Sequence, residues 1–323
     1  MDTRKLSGAL LIVVILLTGV PQLWAAGPFI VAHGPVASFT SSTGNLYWSS
    51  RFLNEFGPSS VSVSRAGKDN IPGNERALYV RSGFTATTVP SLGTLVYANL
   101  GEWFGYFVST AGGTSRIIRV PLAGGPATTI PASPVGFIRD LKTDGAHLYW
   151  LDGGGIRRVD MNGGGAATIV NAPSLSRLGL DATRVYFVAG NSIRSVAKSG
   201  GAVTTIAPTS SAVSDLYVHV AEKTTVFWAE ENGSVRSRTI GGGSSVVHQA
   251  ALSGRRASSV GFDGGRVLWI DCTPPGNSFC SLRSRRGTTT STIVASAGVG
   301  ARNLAWDQTQ VFWIDSGIKK FVY

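Results

Sequence analysis

The sequence predicts an all-β fold, a seven-bladed β-propeller of four-stranded antiparallel blades, and three observations predict it. A pair carrying at least one aromatic residue recurs seven times at blade-like intervals. Glycine turns fall at matched places between short apolar runs. The last unit lacks one strand, and an orphan apolar strand lies near the start of the chain. A six-bladed ring is the alternative.

The unit is clearest around Leu148–Val170. Phe137-Ile138-Arg139-Asp140-Leu141 reads as strand A and ends at Asp144-Gly145. Leu148-Tyr149-Trp150-Leu151 is apolar throughout, as suits a strand B buried on both faces. Gly153-Gly154-Gly155 supplies the positive φ that a tight hairpin needs. Ile156–Met161 alternates apolar and polar, the period of a strand C. Asn162-Gly163-Gly164-Gly165 turns again, and Ala166–Val170 is strand D.

The strand B pair recurs as Tyr47-Trp48, Tyr106-Phe107, Tyr149-Trp150, Tyr186-Phe187, Phe227-Trp228, Leu268-Trp269 and Phe312-Trp313. After a first step of 59 residues the spacing is 43, 37, 41, 41 and 44. A propeller blade takes about 40–45 residues. The long first step implies an insertion or an irregular outer strand in blade 1. Closed repeats of this kind make one domain, here residues 26–323, although length alone would allow two.

Charges repeat with the blades. An acid sits at the turn into strand B (Asp144, Asp181, Glu222, Asp263, Asp307) and another after it (Asp152, Glu230, Asp271, Asp315). Strand C opens on an apolar residue and a base: Ile156-Arg157, Ile193-Arg194, Val235-Arg236, Leu282-Arg283, Ile318-Lys319. A charge flanked by neighbouring blades must be paired, so these bases are expected to meet repeat carboxylates. Asn303–Tyr323 supplies only strands A, B and C of blade 7. The N-terminal strand Phe29-Ile30-Val31-Ala32 is expected to complete that last blade and close the ring.

Residues 1–25 read as a signal peptide. Arg4 and Lys5 precede an apolar run, Leu6–Val20, that is short for a membrane span and is followed by Pro21 and a small-residue cleavage site. The chain is therefore expected to be exported, to the periplasm or the extracellular space. Cys272 and Cys280 flank a Pro-Gly loop, and in an exported chain they read as a disulfide. The net charge of +11 becomes +10 without the first 25 residues. It favours an anionic partner or simply keeps the protein soluble.

Pairs such as LYWLD…IRRV resemble the YWTD repeats of lipoprotein-receptor propellers and the related TolB-like and NHL-like repeats of bacterial secreted proteins. The aromatic-Trp-x-acid core stands as Tyr149-Trp150-Leu151-Asp152, Phe227-Trp228-Ala229-Glu230, Leu268-Trp269-Ile270-Asp271 and Phe312-Trp313-Ile314-Asp315. This chain lacks the threonine, replaces the acid by Ser50, Ser109 and Ala189 in three units, and shows seven units where YWTD and TolB-like rings usually have six. The resemblance implies a binding or scaffold role, and its TolB-like side admits a subunit of a cell-envelope assembly, which would carry a large apolar patch.

In propellers the D–A and B–C loops share one face, where ligands gather at the channel mouth. That face is expected to carry Arg139, Asp140, Arg177, Asp215, Arg255, Arg256, Arg302 and Asn303, overhung by the loops Arg51–Pro58 and Cys272–Cys280. Bases outnumber acids among these residues, so the expected partner is a protein, a glycan or another anionic ligand; ordinary solvated loop charges are the plain alternative. Some seven-bladed propellers are lyases, the streptogramin lyases among them, and His219 on an inner strand keeps a lyase or hydrolase open. No zinc, phosphate-loop or nucleophile-elbow motif accompanies it. No cofactor, metal or nucleic-acid partner is expected, and the protein is expected to be a monomer.

Overall fold

The computed structural model describes residues 29–33, 36–41, 45–52, 59–68, 76–84, 91–99, 103–131, 136–273, 279–307 and 309–323. The expected signal peptide lies outside them, as do most of the Arg51–Pro58 loop and the tip of the cysteine loop. The described chain forms seven sheets of four antiparallel strands, and the ring has seven blades rather than six. Their innermost A strands are Val36–Ser41, Ser91–Asn99, Asp140–Thr143, Leu175–Leu180, Val213–Val220, Arg256–Phe262 and Arg302–Trp306 in blades 1 to 7. Each A strand packs against the next, and blade 7 returns to blade 1.

Closure is as expected. Phe29–His33 pairs antiparallel with Gly317–Val322 as the outer strand of blade 7, with Ile30 opposite Lys319 and Ala32 opposite Ile318. The edge that the last three strands would leave open is thereby paired.

The aromatic doublet has a geometric meaning. Successive side chains of a strand point to opposite faces, and in a radial blade both faces meet neighbours. Tyr149 packs into the seam with blade 4 among Leu178 and Phe187. Trp150 turns the other way, into the seam with blade 2 beside Tyr106 and Ile117. The same division holds around the ring, so each of the seven seams has its own apolar cluster, with one first and one second member of a doublet in it. Burial of one such aromatic is worth about 1.5–3 kcal/mol.

The repeat charges build the blades. Arg157 meets Asp152 at 3.4 Å, Arg236 meets Glu230 at 3.8 Å, Arg283 meets Asp271 at 3.1 Å, and Lys319 meets Asp315. Arg194 lacks an acid because Ala189 takes its place, and it bonds Ser192 Oγ at 3.0 Å instead. Trp150 and Trp228 donate their indole N–H to Asp152 and Glu230, two residues on. The acids before strand B cap their turns: Asp144, Asp181, Asp263 and Asp307 each accept two backbone amides. Glu222 is exposed and makes no such bond. Lys198 of blade 4 reaches Asp144 of blade 3 at 2.8 Å, and Lys68 of blade 1 reaches Asp307 of blade 7 at 2.7 Å. Burial alone would raise the Asp144 carboxyl, but the Lys198 ammonium and the amides of His147 and Ala146 hold it at about 2. Gly155, at φ 138°, admits no Cβ, which would lie 2.0 Å from the Val170 carbonyl oxygen.

Cys272 and Cys280 face each other on adjacent strands of blade 6 and are joined as a disulfide. Both are buried among Leu282, Val294 and Ala301.

Candidate functional site

An antiparallel A–B–C–D meander puts the D–A loops, the B–C turns and the start of every A strand on one face. The A strands enter the ring there through β-bulges; the register breaks at Val36/Ser38, Ser176/Leu178, Val213/Asp215, Ala257/Ser259 and Arg302/Leu304. A bulge re-aims a side chain and leaves ladder groups unpaired. What the re-aimed side chains do is visible once the blades are aligned on the residue opposite the second aromatic of strand B.

The residue just before that point is Ser38, Asp140, Arg177, Asp215, Ser259 or Asn303 in blades 1, 3, 4, 5, 6 and 7. Four of these side chains take an amide of the next blade. Ser38 Oγ accepts from Leu95 at 3.2 Å, Asp140 Oδ2 from Leu178 at 2.8 Å, Asp215 Oδ2 from Val260 at 3.0 Å, and Ser259 Oγ from Asn303 at 2.9 Å. The residue one earlier donates forward to a carbonyl. Arg139 reaches Leu175 O at 3.5 Å, Ser258 reaches Ala301 O at 2.9 Å, Arg302 reaches Val36 O at 3.1 Å, and Ser214 reaches Ala257 O. The inner ring is thus laced blade to blade by side chains that satisfy backbone groups the bulges release.

Among the described residues Asn303 takes no amide of blade 1, where Arg302 alone laces the seam; between blades 4 and 5 neither bond forms, and the acceptor position is held by Arg177. Its φ is 52°, a left-handed conformation that costs an ordinary residue about 1–2 kcal/mol. Its guanidinium makes no hydrogen bond or ion pair among the described residues, and its Nε is buried without an acceptor. The Leu216 amide opposite is taken by its own Asp215 Oδ1 at 2.9 Å.

Arg177 lines a central cavity of about 390 Å³ at the mouth end of the channel. Polar lining comes from Arg139, Asp140, Lys142, Arg177, Asp215 and Asn303, and an apolar wall from Phe39, Leu95, Tyr217, Val260, Leu304 and Trp306. Lys142 stands 3.4 Å from Asp140. Burial raises the Asp215 carboxyl; the Val260 amide, Lys142, Arg177 and the Leu216 amide pull against it without cancelling it. Trp306 of blade 7 reaches across Gly261 of blade 6, where a Cβ would come within 2.3 Å of the indole, and meets Tyr217 of blade 5 edge-to-face at 5.0 Å.

Of the eight residues expected at this face, the cavity gathers Arg139, Asp140, Arg177, Asp215 and Asn303. The other three lie outside its lining. Arg255 pairs with the buried Asp271 at 2.7 Å, Arg256 with Glu231 at 2.6 Å, and Arg302 is held by carbonyls of Val36 and Gly300. Sequence reasoning missed Lys142, Tyr217 and Trp306. Their signal was available: each lies on an A strand, one or two residues beyond the residue opposite the second member of the doublet. His219 packs against Phe262 at 4.9 Å and does not line the cavity, whose lining contains no histidine. No group of three or more His, Cys, Asp or Glu residues able to hold a metal occurs among the described residues. Exposed large apolar side chains are spread over several blades: Val80, Phe137, Val220, Val246, Phe279 and Val299.

Fold and site together define a seven-bladed propeller with a polar, arginine-bearing channel mouth. No protein-family model matches the chain, and no curated protein matches it. Among solved structures it is similar to a chain of a nidogen/laminin complex, at a TM-score of 0.52 and 14% identity, over 78% of this chain and 94% of that one. It is also similar to YCF48 from Cyanidioschyzon merolae, at 0.63 and 12% identity, over 92% and 99%. At such identities the likeness concerns the fold. The described residues contain no helix long and apolar enough to cross a membrane.

Proposed function

We propose that the protein is an exported binding module that takes an anionic partner, whether protein, glycan or smaller ligand, at the mouth of its channel. One observation carries this reading: Arg177 stands at a strained φ with a guanidinium that no described residue satisfies, at the single described seam where the lacing residue cannot accept a hydrogen bond. Strain and an unmet donor at a cavity mouth mark a place kept for something other than folding. The positive net charge favours an anionic guest. Export is supported by the disulfide and by the charged, then apolar, N-terminal sequence. A protein partner is supported by analogy with the neighbour found in a nidogen/laminin complex.

The test compares wild type with Arg177→Gln for binding to an immobilised acidic peptide and to a sulfated oligosaccharide. At least one probe should bind the wild type, and the variant should bind it about tenfold more weakly, the scale of a charge-assisted pair. Equal binding by both proteins would refute the assignment of the mouth.

A further inference from the structure

The cavity behind Arg177 has a chemistry narrower than its charge. We propose that it is a small-molecule site for an aryl monocarboxylate, a flat aromatic body bearing one carboxylate. The inference rests on the mouth reading above and specifies what enters the channel.

The anionic end follows from the guanidinium. Arg177 offers a planar fork of donors with no acceptor, and a carboxylate matches such a fork with two parallel hydrogen bonds. Lys142, on the neighbouring blade 3, adds a second positive charge. The restriction to one negative charge follows from the acids. Asp140 and Asp215 stand in the same lining and are fixed there by two backbone amides each, so they cannot swing away from a guest. Inside the cavity, a phosphate or a small polycarboxylate would bring further charge against these two carboxylates, whereas a single carboxylate, or one anionic group of a longer chain whose other charges stay outside, can sit on Arg177 alone.

The flat body follows from the apolar part of the lining. Trp306 and Tyr217 form an aromatic corner over Gly261, continued by Phe39, Leu95 and Leu304. Gly261 is what lets the indole reach inward, since a Cβ at that residue would collide with it. Aromatic rings stack or meet edge-on at favourable geometry, a gain an aliphatic acid would forgo. A cavity of about 390 Å³ falls in the range that encloses small ligands.

The experiment is calorimetric titration of the intact protein with sodium benzoate, benzamide, acetate and inorganic phosphate. Benzoate should bind at least about tenfold more tightly than each of the other three, because each lacks the charge, the ring or the single charge the site selects. Arg177→Gln should abolish the preference of benzoate over benzamide, and Trp306→Leu the preference of benzoate over acetate; Arg177→Lys should retain part of the first. Circular dichroism and melting of each variant establish that it is folded. If benzoate binds no better than acetate or phosphate, or keeps its preference in folded Arg177→Gln, the inference is overturned. Should that happen while the acidic peptide or sulfated oligosaccharide still binds through Arg177, the mouth reading survives and only the aryl carboxylate is lost.

Discussion

Asp140 separates a lacing role from a ligand role, because the two make opposite demands on its carboxylate. Oδ1 accepts the Leu141 amide and Oδ2 the Leu178 amide of the next blade, both at 2.8 Å. Asp140→Ala removes both acceptors at once. A donor left unsatisfied away from water costs about 1–3 kcal/mol. Leu178 is fully buried, so its amide should incur most of that cost. The Leu141 amide belongs to a cavity-lining strand, where water can partly replace the carboxylate. Loss of the 3.4 Å contact with Lys142 adds about 0–1 kcal/mol. The expected destabilisation is about 2–4 kcal/mol for Asp140→Ala and roughly half that for Asp140→Asn, which keeps one acceptor. Urea unfolding followed by tryptophan fluorescence measures it, with unchanged m-values as the check that the unfolding reaction is the same. An Asp140→Ala protein within about 0.5 kcal/mol of wild type would refute the reasoning, since a surface substitution costs no more.

Other expectations follow from the same structure. Burial, and then the charge of Arg285, lower His248 to about 4. The unfolded imidazole titrates near its ordinary value of 6.5, so the unfolded chain binds the extra proton first, and stability is lost as pH falls from that value toward 4. His248→Gln should flatten the stability profile in this window by about 2 kcal/mol, as measured by urea unfolding at pH 7 and pH 4.5. Asp144 and Asp307, both lowered from 3.8 to about 2, contribute stability that is lost mainly as pH falls from 3.8 toward 2, below the pH 4.5 measurement, so they do not mask it. Replacing Cys272 and Cys280 together by serine should cost about 2–3 kcal/mol in the same assay, the scale for so short a loop. Deleting Phe29–His33 should expose the edge of Gly317–Val322 and produce concentration-dependent association in analytical ultracentrifugation; a monodisperse deletion variant would argue against ring closure by this strand.

The fold was legible because its signal is periodic. A doublet such as Tyr149-Trp150 is forced by burial on both faces of a radial blade, and seven copies multiply the evidence. The missing fourth strand of blade 7 was legible because an unpaired edge and an orphan strand imply each other. The site was less so. The face could be placed from loop order, but a sequence does not say which arginine already has a partner. Arg302 and Arg139 are spent on carbonyls of the next blade, Arg255 on Asp271, and Arg177 on none of these. Trp306 was hidden for a different reason. Its approach to Tyr217 passes over Gly261, and only the three-dimensional ring brings blades 5, 6 and 7 together there.

The central claim is that Arg177 is the unsatisfied cation at the channel mouth. Nitrogen-15 NMR of the arginine Nε–H groups tests it most directly, with the Arg177 signal assigned by its disappearance in Arg177→Gln. Titration with benzoate should move that signal by more than any other arginine signal, and saturably. A titration that shifts the Arg139, Arg255 or Arg302 signals while leaving Arg177 in place would contradict the account.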